Sequence, residues 1–133
     1  MRVALDTNVL ISAFLFPGGV PEAAYRLAIE GRVKLVTSPA LLGEFGRILT
    51  EKFGWVGERA EEAVRQIARI GRVVEPSEQV HEIEADPADN RVLEAALKGE
   101  AEIIVSGDRH LLRLVRWRDV RVLKPADFLD EFR

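Results

Sequence analysis

The sequence predicts an α/β fold of three layers, in which helices cover both faces of a central, mostly parallel sheet of about five strands. Short runs rich in Val, Ile and Leu alternate along the chain with longer segments of helical periodicity. Such alternation is typical of parallel strands joined by crossover helices. The chain has 133 residues, 47% of them hydrophobic, which is enough to bury one core. We therefore expect one domain over residues 1–133.

Each element is predicted from a local pattern. Short runs of aliphatic and β-branched residues predict strands at residues 2–5, 33–37, 72–75, 102–106 and 120–123. Apolar residues spaced by three and four predict helices at residues 8–15, 21–30, 39–52, 57–70, 87–98, 109–115 and 125–132. Two helix starts are marked clearly, because Ser38 and Asp86 are capping residues that each precede a proline.

Composition excludes several classes of protein. The absence of cysteine excludes disulfides and thiolate metal sites. No apolar run approaches the roughly 18 residues of a membrane span, and the first residues lack a signal peptide's apolar region. We expect a cytoplasmic protein that binds no membrane. The net charge is −3, yet residues 105–125 hold six Arg or Lys and two Asp. This division suits adjacent sites for cations and phosphates, although a salt-bridged surface is the alternative.

Four carboxylates fall where an α/β sheet binds ligands. Asp6 follows the first predicted strand and Asp108 follows the fourth, so both belong at the carboxyl edge of the sheet. Glu44 borders the apolar stripe of the third helix, and Asp89 shares the inward side of the fifth. Each acid taken alone could be a helix cap or a surface residue. Four acids at one end of a parallel sheet predict a common site.

A carboxylate cluster without cationic neighbours indicates a divalent cation. Like charges in close proximity either protonate or bind metal. Oxygen ligands select Mg²⁺ or Mn²⁺ over zinc, and only His81 and His110 supply imidazole. Such cations support phosphodiester hydrolysis, because they activate water and stabilise the leaving oxygen. No serine has an evident His–Asp partner for covalent catalysis.

Five segments occur in order along essentially the whole chain. They are LDTNVL at 5–10, SPALLGE at 38–44, DPADN at 86–90, VSGDRHLL at 105–112 and VLKPADFL at 122–129. In order and spacing this set resembles the motifs of PIN-domain ribonucleases. The PGG loop after the first helix is similar to the prokaryotic, VapC-like branch, described as toxins of toxin–antitoxin pairs.

The resemblance implies a Rossmann-like PIN fold, dependence on Mg²⁺ or Mn²⁺, and cleavage of single-stranded RNA. It also implies a homodimer and a small antitoxin protein that blocks the site. The metal-binding and catalytic acids that it implies are Asp6, Glu44, Asp89 and Asp108. The polar residues that it implies as orienting water, metal or phosphate are Thr7, Asn8 and Ser106.

Two positions depart from a simple match. Asp86 competes with Asp89 for the third acidic position, and Asp89 is preferred because Asp86 is needed as the cap. Many relatives carry a further acid where this chain has His110. Asp6 and Asp89 are expected to bind the principal metal, with Glu44 and Asp108 completing the site. The arginines expected to hold neighbouring phosphates are Arg91, Arg109 and Arg113.

Other functions are weighed against the nuclease. The main alternative is a PIN-like module that binds RNA or protein with little or no activity. A phosphatase of the haloacid dehalogenase type would need an acid two residues after Asp6, where this chain has Asn8. Trp55 and Trp117 are expected to be partly buried rather than exposed for stacking on bases. His81 is expected at the surface.

Overall fold

The computed structural model describes residues 1–132 and contains one six-stranded sheet. Its strands are β1 (Arg2–Leu5), β2 (Lys34–Thr37), β3 (Arg72–Val73), β4 (Ile103–Val105), β5 (Arg116–Trp117) and β6 (Val120–Leu123). Their order across the sheet is β3-β2-β1-β4-β6-β5. All neighbouring strands are parallel except β5, which runs antiparallel to β6. The predicted, mostly parallel sheet is confirmed, with one strand more than expected.

Helices connect the strands as the sequence pattern predicts. They are α1 (Thr7–Leu15), α2 (Val20–Ile29), α3 (Pro39–Glu51), α4 (Gly57–Ile70), α5 (Asn90–Lys98), α6 (Arg109–Leu112) and α7 (Pro125–Asp130). A 3₁₀ turn at Pro87–Asp89 precedes α5. Ser38 caps α3 by accepting a hydrogen bond from the Leu41 N–H at 3.3 Å. Among residues 1–132, no helix has the length and apolar character that crossing a membrane requires.

The sheet lies between two cores, because alternate residues of each strand face opposite sides. Val3 and Leu5 of β1 enter the core formed with α1, α2, α3, α4 and α7. Ala4, between them, enters the core formed with α5 and α6. The three-layer arrangement is therefore confirmed. Helix α5 approaches the sheet so closely at its end that a Cβ on Gly99 would overlap Val36 Cγ1.

One predicted helix is wrong in its second half. The helix expected at residues 109–115 ends at Leu112, and the chain continues into β5. The reason is Val115, whose φ of 58° lies in the left-handed region, where a helix of L-residues does not continue. Arg118, with φ 54°, reverses the chain between β5 and β6. The strand predicted at 72–75 is also shortened to Arg72–Val73, and other element ends agree within a few residues.

Residues 74–86 connect β3 to the 3₁₀ turn without helix or strand, and we call them the strap. The strap packs on α5, whose buried polar side chains hold its backbone. Asn90 Oδ1 accepts from the Ile83 N–H at 2.9 Å, and Asn90 Nδ2 donates to the Ile83 carbonyl at 2.8 Å. Glu94 accepts from the Val80 N–H at 2.9 Å. These bonds fix the path of the chain just before Asp86.

Candidate active site

Asp6 directly follows β1 and caps α1, so the fold fixes both of its carboxylate oxygens. Oδ1 accepts from the Thr7 N–H at 2.8 Å, and Oδ2 accepts from the Ser106 hydroxyl at 2.8 Å. Burial raises the pKa of Asp6 to about 6. The two hydrogen bonds lower this pKa, whereas the negative charges of Asp108 and Glu44 raise it further. Asp6 is thus a carboxylate held out of water and surrounded by other acids.

Ser106 joins Asp6 to Asp108 across the neighbouring strands β1 and β4. Its fully buried Oγ donates to Asp6 and accepts from the backbone N–H of Asp108 at 2.9 Å. The Asp108 Oδ1 accepts from the N–H groups of His110 at 2.7 Å and Leu111 at 3.4 Å, which caps α6. The two acids therefore lie side by side at the carboxyl edge of the sheet.

Asp89 is buried in the 3₁₀ turn, with 8% of its surface exposed. Burial raises its pKa to about 7, and the charges of Asp108, Asp6 and Asp86 add to this rise. A hydrogen bond with Asp108 also favours the protonated form of Asp89. The Oδ2 atom is buried and meets no hydrogen-bond donor among residues 1–132. A buried oxygen without a donor is costly, and a bound cation would relieve that cost.

Three acids are close enough to share one metal ion. Carboxylate oxygens of Asp86, Asp89 and Asp108 all lie within 4.8 Å of one another. No Arg or Lys within residues 1–132 forms an ion pair with any of them. All-oxygen donors with uncompensated charge fit a hard divalent cation such as Mg²⁺ or Mn²⁺. We call these three acids, with the adjacent Asp6, the acidic centre.

Glu44 lies at the margin of this centre. It is half-buried on α3 and does not belong to the group of three. Burial raises the pKa of Glu44, and the charge of Asp86 acts in the same direction, whereas Arg47 and Lys52 oppose it. Because Glu44 also raises the pKa of Asp6, its charge reaches both sides of the centre.

Asp86 caps the 3₁₀ turn, as the sequence predicts, and it also lies among the acids of the centre. Its carboxylate accepts from the Ala88 N–H at 3.2 Å, which is the expected capping bond. The same side chain also reaches Asp89 and Asp108. Asp86 and Asp89 are therefore both candidate ligands, because Asp86 can cap the turn and also contribute an oxygen to the centre.

The predicted polar residues occupy different environments. Thr7 is buried, and its Oγ1 has no hydrogen-bond partner among residues 1–132. Asn8 is exposed and lines a cleft that also contains Asp108. Ser106 is the bridging hydroxyl described above. These positions give Thr7 and Asn8 unused hydrogen-bonding groups near the acids, while Ser106 is fully engaged.

The predicted phosphate-binding arginines differ in availability. Arg91 forms an ion pair with Glu94 at 3.0 Å, and its Nε atom is buried. Arg109 and Arg113 are exposed and form no ion pair within residues 1–132. In the basic segment 105–125, two cations are neutralised by bidentate bonds, from Arg118 to Glu78 and from Arg121 to Glu131. Within residues 1–132, the cations of this segment that form no ion pair are Arg109, Arg113, Arg116 and Lys124.

Sequence reasoning missed the residues that hold the strap. Asn90 and Glu94 are buried polar residues on α5, and each bonds to strap backbone. The signal was a pair of polar residues four apart on the inward side of an amphipathic helix. Trp117 is buried as expected, and its Nε1 donates to Glu82 of the strap at 2.9 Å. Trp55 is half-buried beneath Arg59.

A mostly parallel sheet covered by helices on both faces, with carboxylates gathered at its carboxyl edge, is typical of the α/β proteins that bind ligands at that edge. The sequence profile of the PIN domain matches residues 2–110. The chain therefore belongs to the PIN domain family, as the motifs indicated. Family membership supports a hydrolase that acts on nucleic acid.

Proteins similar to this chain are known both in sequence and in fold. The uncharacterized protein MJ1680 of Methanocaldococcus jannaschii is 28% identical over 144 residues, covering 99% of this chain and 92% of that protein. The fold resembles a chain of VapBC2 from Rickettsia felis, whose crystal structure contains a DNA fragment from the VapBC2 promoter. The TM-score is 0.66 and the identity 13%, and the match covers 92% of this chain and 97% of that chain. The fold also resembles VapBC-1 from nontypeable Haemophilus influenzae, with a TM-score of 0.63 and 17% identity over 95% and 99% of the two chains.

Proposed function

We propose that this chain is a cytoplasmic endoribonuclease that cleaves single-stranded RNA with the help of Mg²⁺ or Mn²⁺. One observation carries the proposal. Asp89 is buried with an oxygen that no donor satisfies, and Asp86 and Asp108 place further carboxylate oxygens within 4.8 Å. A protein would not gain stability from this arrangement alone, because like charges at this distance repel. A bound cation that acts on phosphate would account for the arrangement.

The residues of the acidic centre divide the work of holding and orienting. Asp86, Asp89 and Asp108 would hold the cation, and Asp6 would contribute from the side that Ser106 fixes. Glu44 would act at the margin through its charge. When bound, the cation supplies Lewis acidity at the scissile phosphate and lowers the pKa of a nearby water.

The substrate would be held by charge rather than by sequence-specific contacts. Arg109 and Arg113 are exposed and unpaired within residues 1–132, so they can bind phosphate oxygens on either side of the cleaved bond. Arg91 is less available because of its ion pair with Glu94. Asn8 and the Thr7 hydroxyl can orient water or phosphate beside the acids.

The test is a cleavage assay on mixed single-stranded RNA with Mg²⁺, Mn²⁺ or a chelator. We expect cleavage with either cation, none with the chelator, and none from Asp89→Asn with either cation. Glu30→Gln, an exposed acid at the end of α2, is the matched control and is expected to retain wild-type activity. Cation-dependent activity in purified Asp89→Asn would refute the assignment of the site. A wild-type chain that binds RNA without cleaving it would instead establish the non-catalytic module.

We also propose a small antitoxin-like protein partner and a homodimer. The support is the fold shared with VapBC proteins and with FitAcB from Neisseria gonorrhoeae, which has a TM-score of 0.58 and 19% identity over 93% of this chain and 98% of that chain. Large apolar side chains are also exposed beside and on α2, at Phe16, Val20 and Ile29. Light scattering of the purified chain tests the dimer. Co-purification with the product of an adjacent reading frame tests the partner, and a monomer with no such partner would contradict both proposals.

A further inference from the structure

A cleft opens beside the acidic centre, between the start of α1 and the loop that precedes α6. Its volume is about 450 Å³, and Asp108 forms part of its wall. Asn8, two residues after Asp6, forms another part. Because Asp108 belongs to both the cleft and the acidic centre, a group in the cleft adjoins whatever the acids bind. The cleft is therefore placed to receive the part of a substrate next to the reacting phosphate.

The lining of the cleft combines apolar walls with polar edges. Val9, Pro21 and Pro125 present aliphatic surface, while Asn8 and Ser12 offer an amide and a hydroxyl. Neither polar side chain makes a hydrogen bond within residues 1–132. A nucleobase has apolar faces and a hydrogen-bonding edge, so it matches this combination.

Arg109 gives the cleft a free positive charge. Its side chain is exposed, lines the cleft and has no carboxylate partner within the described residues. A guanidinium group binds phosphate oxygens in pairs. Space for a base next to an available guanidinium favours a nucleotide over a purely apolar ligand.

A second groove, between α3 and α4, lacks this combination of features. It has a similar volume of about 370 Å³. Its two arginines are already paired, Arg47 with Glu51 at 3.0 Å and Arg65 with Glu62 at 2.8 Å. The acidic centre does not contribute to its wall. This groove therefore provides a matched place for a control substitution.

We propose that the cleft binds the nucleoside next to the scissile phosphate, with its base against Pro21 and Pro125. The following phosphate lies on Arg109. This inference rests on the proposed ribonuclease function and adds to it a binding subsite for the single nucleotide next to the cleaved bond. Asn8 and Ser12 face the edge of the base, so any base preference at the cleavage site arises from these two residues.

The main test fills the cleft with Ser12→Phe and compares it with Thr50→Phe in the α3–α4 groove. Affinity for a fluorescein-labelled single-stranded octaribonucleotide is measured by anisotropy in chelator. Ser12→Phe is expected to weaken binding about tenfold, the loss of one base contact, and to raise KM by the same factor with kcat unchanged. Mn²⁺ affinity and Tm should equal those of the wild type, and Thr50→Phe should change neither RNA binding nor KM. Wild-type RNA affinity and KM in folded Ser12→Phe would overturn the subsite.

A second measurement keeps the test valid if Ser12→Phe does not fold. Pro125→Ala removes one wall, and its affinity for uridine 5′-monophosphate is compared with that of the wild type by saturation-transfer NMR. We expect the wild type to bind this nucleotide more tightly than ribose 5-phosphate or inorganic phosphate, and Pro125→Ala to lose that difference. Equal affinity for all three would overturn the subsite. Nucleotide binding is read without cleavage, so a failed subsite and a failed nuclease give different results.

Discussion

Asp6→Asn tests how much the charged Asp6 carboxylate lowers the free energy of unfolding of the protein. Burial raises the pKa of Asp6 from its ordinary 3.8 to about 6. Through linkage, that rise corresponds to about 3 kcal/mol of destabilisation when the carboxylate is charged. The Asn side chain keeps the bond from the Thr7 N–H but loses the one donated by Ser106, at a cost of about 1 kcal/mol. We expect a net gain of about 2 kcal/mol for the metal-free variant.

The sign of the pH dependence follows from the raised pKa. A carboxyl whose pKa is higher in the folded protein destabilises the fold only where it is ionised, so the penalty is absent below about pH 4 and complete above about pH 6. In chelator, Asp6→Asn should melt about 4 °C below the wild type at low pH, because the lost Ser106 bond then has no compensating gain. Above the pKa of Asp6 the variant should melt about 7 °C higher than the wild type. This shift is the net gain of about 2 kcal/mol divided by the unfolding entropy, which is about 2.1 cal/mol/K per residue.

The assay is thermal unfolding across this pH range, with chelator and then with Mn²⁺. Mn²⁺ should reverse the order, because it stabilises the wild type by about 3 kcal/mol at a hundred times its Kd and the variant far less. Glu30→Gln serves as a surface control that should follow the wild type. The reasoning fails if Asp6→Asn is no more stable than the wild type above the pKa, or if its advantage is the same at every pH.

Three further predictions concern packing, the strap and proton release. Gly99→Ala should destabilise the protein by about 1–3 kcal/mol, since its Cβ would overlap Val36. In urea unfolding, Val36→Ala should partly restore the stability of Gly99→Ala. If the destabilisations of the two single variants simply add in the double variant, the two residues are not packed in this way. Asn90→Ala should cost about 2–4 kcal/mol in urea unfolding by leaving the Ile83 N–H and carbonyl unpaired, and a cost under about 1 kcal/mol would contradict this role. At limiting Mn²⁺, the cleavage rate should rise with pH through about 7, because Asp89 ionises there. At high Mn²⁺ the midpoint of this rise should move to lower pH. A cleavage rate that does not change with pH would contradict the prediction.

The sequence was informative wherever a local pattern has one physical outcome. The apolar strand before Asp6 and the proline after Ser38 each determine their own element, and the structure contains both as expected. The acids could be placed at one edge of the sheet because parallel strands end together. This reasoning needs only strand direction and order, not side-chain coordinates.

Features that depend on contacts between distant segments were not accessible in this way. Val115 adopts a left-handed backbone conformation that a β-branched residue disfavours, so the helix was predicted to continue to residue 115 and β5 was not predicted. Asp86 was treated as a cap or a ligand, although its two oxygens allow it to be both. The bonds from Asn90 and Glu94 go to strap backbone, so the spacing of the two residues on α5 could indicate that they are buried but not which segment they hold.

The Ser106 bridge has a consequence for the kinetics of cation exchange. Its hydroxyl ties the Asp6 carboxylate to the backbone of Asp108 through hydrogen bonds within the protein itself. These bonds hold the two strand ends together, so under the proposed function a cation would exchange at this site without a rearrangement of the loops. Exchange should then proceed at the rate at which the ion sheds its hydration water, so Mn²⁺ would turn over faster than Mg²⁺, which dehydrates reluctantly.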